Sequence, residues 1–173
     1  MRPAPVRVLA TSPRGVVLDK PSGVRTERLL EAAAAQLRLD LRAVSRLDKG
    51  TSGCLAVAVG EAGFQELKAA FAGRAAYLCL VEGLQHQIRV HMKTLGHALV
   101  GDTRYCSTSR RVQRQLGWCG GRLFLHNCQT AIERDGVGRL AARSRLPPEL
   151  QLALRTAGAD APLEEIYRSE IKP

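Results

Sequence analysis

Apolar and polar residues alternate along this chain in a way that predicts most of its elements. Gly15-Val16-Val17-Leu18-Asp19 is a short, β-branched run closed by Pro21-Ser22-Gly23, which predicts a strand and then a tight turn. Leu29, Leu30, Ala33, Ala34 and Leu37 recur at helical spacing behind Thr26, an N-cap candidate, so a helix is expected to about Leu39. Cys54-Leu55-Ala56-Val57-Ala58-Val59 is almost wholly apolar and predicts a strand buried on both faces. Phe64, Leu67 and Phe71 mark a second amphipathic helix with Gly73 as its stop, and Tyr77-Leu78-Cys79-Leu80-Val81 is a further strand candidate ending at Gly83.

Between His86 and Leu95 the apolar positions fit both an alternating strand and a helical face. Gly96 as a terminator favours the helix, with His86, Arg89 and Lys93 on one cationic face. Residues 103 to 122 are polar, basic and without period, which is the pattern of a long surface connection. Leu123-Phe124-Leu125-His126 predicts a late strand. Pro147-Pro148 ahead of Leu150, Leu152 and Leu154 predicts a C-terminal helix with proline in its first turn, and residues 157–173 read as a loosely held tail.

A length of 173 residues fits one domain over residues 1–173. The balance of 26 Lys plus Arg against 16 Asp plus Glu, a formal charge of +10, points to a polyanionic partner. Five cysteines without a CxxC pair indicate neither a disulfide framework nor a zinc site, so no metal is expected and a reducing compartment fits best. No apolar stretch approaches the roughly 20 residues that span a bilayer, and no signal-peptide pattern is visible at the N-terminus. The expectation is a soluble, intracellular protein, monomeric and without a membrane partner.

The candidate chemistry lies in Arg46-Leu47-Asp48-Lys49-Gly50-Thr51-Ser52-Gly53, an acid on a loop rich in glycine and hydroxyl residues just before the buried strand. From composition alone such a loop is more often only a turn. The octet, however, resembles the signature loop of the RluA-like pseudouridine synthases. Further segments resemble that family in the same order: Asp19-Lys20-Pro21-Ser22-Gly23, the tyrosine strand beginning at Tyr77, His86-Gln87-Ile88-Arg89-Val90-His91-Met92 with Gly101-Asp102, Leu123 to His126, and Leu146-Pro147-Pro148.

The resemblance implies an α+β fold, a mixed and mainly antiparallel sheet with flanking helices, and a cofactor-free isomerisation of uridine to pseudouridine in ribosomal, transfer or other RNA. It implies Asp48 as the nucleophile, Arg89 as its basic partner, and Tyr77 as the residue that packs against the target base and helps remove its C5 proton. A stacked uridine is unreachable, so base flipping is expected. Arg46, Lys20, Thr51, His86 and Gln87 are the expected substrate or RNA contacts, with Lys49, the Arg110 to Arg114 cluster and His91 as further candidates. Two departures stand out. Ser45 occupies a position where the family commonly has histidine. Between Gly83 and His86 the chain lacks the few dozen residues that normally form further central strands, so some of those strands are expected to be missing. The alternative is therefore a non-catalytic RNA-binding relative that kept the basic surface. An unrelated hydrolase with an aspartyl nucleophile would need a second acid or a metal cluster near Asp48.

Overall fold

The eight-residue strand Ser52–Val59 is the axis of the fold, and its two apolar faces explain what surrounds it. Side chains of a strand alternate between faces, so Cys54, Ala56 and Ala58 pack to one side with Val17, Leu67, Ile132, Leu140 and Ala142. Leu55 and Val57 pack to the other with Val16, Leu18, Leu29 and Ala33. Each fully buried Val or Leu side chain contributes about 1.5–3 kcal/mol of transfer free energy, so this strand holds much of the stabilising surface.

The computed structural model describes residues 5–73, 86–105, 122–134 and 138–156. They fall into two compact units, one made of residues 5–73, 127–134 and 138–145, the other of residues 86–105, 122–126 and 146–156.

In the first unit, β1 (Val8–Thr11) pairs with β2 (Gly15–Lys20), β2 with β4 (Ser52–Val59), and β4 with β3 (Leu41–Ala43), all antiparallel, giving the order β1-β2-β4-β3. The short β5 (His126–Asn127) meets β4 through Asn127, whose Nδ2 donates to the Cys54 carbonyl at 2.7 Å. Helix α1 (Thr26–Leu37) supplies Leu29 and Ala33 to one face of the sheet. Helix α2 (Gly60–Gly73) and the antiparallel hairpin of β6 (Gln129–Arg134) and β7 (Gly138–Arg143) supply Leu67, Ile132, Leu140 and Ala142 to the opposite face.

The second unit contains α3 (Gln87–Thr94) and α4 (Pro148–Thr156). Gly96 at φ 83° ends α3 as expected: its N–H reaches Lys93 O and that of His97 reaches Met92 O, the paired bonds of a Schellman ending. Pro148 opens α4, whose first turn is closed by the Leu150 and Gln151 amides on Pro147 O. Among the described residues no helix is long and apolar enough to cross a membrane.

The α+β class, the antiparallel pairing and the flanking helices agree with the expectation from sequence. Three details differ. Thr26 is not the cap of α1: Arg25 holds that position without a side-chain bond, and the Thr26 hydroxyl donates to Leu47 O at 3.0 Å. The Leu123 to His126 strand shrinks to His126–Asn127, because Leu125 N–H bonds Leu123 O and Phe124 N–H bonds Val100 O, leaving neither for a ladder. The β6–β7 hairpin and the short β1 and β3 were not anticipated. The Tyr77 to Val81 strand, the stretch from Gly83 to Gln85, most of the 103–122 connection and the 157–173 tail lie outside the described residues.

Candidate active site

The loop between β3 and β4 that carries Asp48 is fixed by its own carbonyl oxygens. Thr26 Oγ1 donates to Leu47 O, Ser22 Oγ to Gly50 O at 2.8 Å, and Gly23 N–H to Lys49 O at 2.7 Å. The ammonium of Lys20 donates to Asp48 O (2.9 Å), Lys49 O (3.3 Å), Thr51 O (2.7 Å) and Pro21 O (3.3 Å). Every carbonyl from Leu47 to Thr51 thus receives a bond from residues 20–26. Thr51 N–H adds a turn bond to Asp48 O at 3.0 Å.

This arrangement follows from the sheet. Lys20, the last residue of β2, pairs with Gly53 near the start of β4, so the Lys20-Pro21-Ser22-Gly23 turn runs beside the Asp48 loop. Gly23 takes φ 83° and Gly53 φ 113°, conformations that side-chain-bearing residues rarely adopt. At Gly53 a Cβ would also lie 2.1 Å from Asn127 O, so only glycine lets the two backbones approach. Leu47, partly buried, packs against the core face of Leu18, Leu29 and Leu55.

Lys20 is fully buried, and its ammonium lies among loop carbonyls. A buried ammonium persists only where oxygens replace its hydration shell. Arg46 is exposed and forms an ion pair with Glu27 at 2.7 Å. In solvent such a pair contributes about 0–1 kcal/mol and exchanges readily for another anion. Thr51 is buried, and its Oγ1 has no hydrogen-bond partner among the described residues. Lys49 is exposed and Asp48 partly so.

The second unit gathers the other expected residues. Arg89 donates from Nε to Asp102 Oδ2 (2.8 Å) and from Nη2 to Asp102 Oδ1 (2.7 Å), a bidentate pair in which Asp102 is fully buried. Burial by itself would raise the Asp102 pKa. The Arg89 hydrogen bond and charge, with the Tyr105 and Arg104 backbone amides, outweigh it and hold the carboxyl below its ordinary range. His86, at φ 63°, is joined through Nδ1 to the Tyr105 hydroxyl at 2.9 Å. Gln87 opens α3 and carries a buried Nε2 with no partner among the described residues. The exposed His91 lies one turn before the end of α3.

Asp102 and Tyr105 are the participants that residue-type reasoning passed over. Asp102 follows Gly101, which sits at φ 78° with its would-be Cβ 1.9 Å from Arg122 O, so the Gly-Asp pair was the legible signal. Tyr77 and the Arg110 to Arg114 cluster lie outside the described residues. Among those described, no group of three His, Cys, Asp or Glu is gathered as a metal ion would need.

No model of a known protein family matches the chain. Over 49 residues it is 55% identical to a Bacillus subtilis (strain 168) protein described as the uncharacterized RNA pseudouridine synthase YjbO, a stretch that takes in 28% of this chain and 17% of that protein. Among solved structures, human RNA Pseudouridylate Synthase Domain Containing 1 superposes with a TM-score of 0.67 at 19% identity, covering 88% of this chain and 90% of that one. Human RNA Pseudouridylate Synthase Domain Containing 4 superposes with a TM-score of 0.65 at 16% identity, covering 86% and 92%. The fold is therefore that of a pseudouridine synthase domain.

Proposed function

We propose that this chain, folded as a pseudouridine synthase domain, is an RluA-like enzyme that isomerises uridine to pseudouridine in RNA, with Asp48 as its nucleophile. The observation that carries the reading is the Asp48 loop, whose five consecutive carbonyls, from Leu47 to Thr51, are held by residues 20–26. A carboxylate on so constrained a backbone meets its target with little ordering left to do. The net charge of +10 supplies long-range attraction for a polyanionic substrate.

In this reading the Asp48 carboxylate adds to the ribose or to the base, forming a covalent intermediate. The bond from uracil N1 to ribose C1′ breaks, the base turns while held, and C5 bonds to C1′. The carboxylate is released, from C1′ as that bond forms or from the base afterwards, N1 takes up a proton, and the C5 proton passes to water. Tyr77 packs on the base and assists that proton transfer, and Arg89, oriented by Asp102, is the basic residue of the site. Extrusion of the uridine costs least in loops and irregular RNA, which are the favoured targets.

The test is tritium release to water from RNA labelled at uridine C5, by the wild type and by Asp48→Ala. Release by the wild type and none above background by Asp48→Ala is expected, and equal release from both would sink the proposal. A second reading, a non-catalytic RNA-binding relative, draws on one observation: Arg89 gives both Nε and Nη2 to Asp102. It predicts salt-sensitive RNA binding that Asp48→Ala leaves intact, with no tritium released by either protein.

A further inference from the structure

We propose that Lys93 and Arg104, gathered on the ring of Tyr105, form a docking site for backbone phosphates of the RNA. This inference rests on the RNA-directed reading above and adds a specific place of attachment to it. Three cationic groups crowd one aromatic ring: the Arg89 guanidinium lies 5.2 Å from the Tyr105 centroid, that of Arg104 5.7 Å, and the Lys93 ammonium 6.0 Å. The ring is itself anchored, since its hydroxyl bonds His86 Nδ1 and the two rings meet edge to face at 5.7 Å. The negative face of an aromatic ring attracts cations and so restrains side chains that would otherwise sample many rotamers.

The three cations differ in what balances them. Arg89 is neutralised by Asp102, and Arg122, elsewhere in the unit, by Glu149. Those are the two carboxylates among the described residues of this unit, against five Lys or Arg: Arg89, Lys93, Arg104, Arg122 and Arg155. Lys93, Arg104 and Arg155 are therefore without a carboxylate partner among the described residues of the unit, and all three are exposed. Lys93 and Arg104 share one anchored ring, whereas Arg155 stands at the end of α4, outside this cluster. Two exposed, restrained cations beside an aromatic ring suit the singly charged, closely spaced phosphates of a nucleic-acid backbone.

The experiment measures binding of a labelled RNA hairpin with a uridine-containing loop across a salt series, using the full chain. For each phosphate that is no longer neutralised, the slope of log K against log salt should fall by about 0.7–0.9. Lys93→Gln and Arg104→Gln should each lower it by that amount, the double variant by twice as much, and Arg155→Gln should leave it at the wild-type value. Tyr105→Leu should lower it as well, while Tyr105→Phe, which keeps the ring, should not. Because Lys93 and Arg104 are exposed, their glutamine variants do not threaten folding and decide the matter alone. Wild-type slopes in both, or an equal decrease in Arg155→Gln, would overturn the docking site and leave the isomerase reading standing. The expected decreases in a protein that releases no tritium would keep the docking site and remove the isomerase. A wild type without RNA affinity would overturn both.

Discussion

Lys20 illustrates how a single side chain can decide the shape of a loop. A buried ammonium is costly unless oxygens surround it, and four backbone carbonyls do so here. Two of them have a second donor, Thr51 N–H for Asp48 O and Gly23 N–H for Lys49 O. Thr51 O and Pro21 O depend more heavily on the lysine. Lys20→Met should therefore cost about 2–4 kcal/mol, the loss of hydrogen bonds from a charged donor together with acceptors left buried. Urea unfolding would read that cost, and tritium release should fall with it even where the protein remains folded. Lys20→Arg should rescue neither, because a planar guanidinium does not reproduce the convergent geometry of an ammonium. A midpoint unchanged in Lys20→Met would show that the loop is held by other means.

At the scale of elements, the same loop depends on two left-handed glycines that differ in their surroundings. Gly23 at φ 83° has open space where a Cβ would stand, whereas Gly53 at φ 113° faces Asn127 O at 2.1 Å. Gly23→Ala should cost about 1–2 kcal/mol, the conformational penalty alone. Gly53→Ala adds a backbone collision and should cost more, displacing Asn127 from β4. Thermal unfolding of the two variants would check the order.

The sequence was most legible where one physical signal dominated. The two-sided burial of β4 was written in its apolar run, and the end of α3 in Gly96. Thr26 misled because a hydroxyl near a helix start has more than one acceptor in reach, and here a carbonyl distant in sequence took it. The β6–β7 hairpin was obscured because its inward positions mix Thr130, Ile132, Leu140 and Ala142, too varied for a strong alternation, although Asp135-Gly136 stands between the strands as a turn signal. The Asp48 loop was found through its resemblance to a family. Its mode of support, a buried lysine 28 residues away in sequence, has no local signature.

For the molecule as a whole, pH acts in opposite directions through two buried groups. Burial first, then the charge of Asp19, pushes the Cys54 thiol up from 9.0 to about 12. A group whose pKa is raised on folding stabilises fully below its unfolded value, so this contribution is intact up to pH 9.0 and is lost as pH rises toward about 12. Asp102 has the reverse sign: its lowered pKa stabilises above the ordinary 3.8, and the contribution is lost as pH falls through the folded value. The wild-type urea midpoint, measured against that of Cys54→Ala, should show an alkaline decline that the variant lacks. Parallel curves for the two proteins would contradict the assignment.

The clamp on the Asp48 loop also bears on how the site comes into being. Its donors lie at the end of β2 and the start of α1, and its acceptors immediately precede β4, so the clamp closes only when those strands have paired. The setting of Asp48 therefore depends on the pairing of β2 with β4. Loosening that one strand pair would release the loop while leaving the chain's net charge of +10 unchanged.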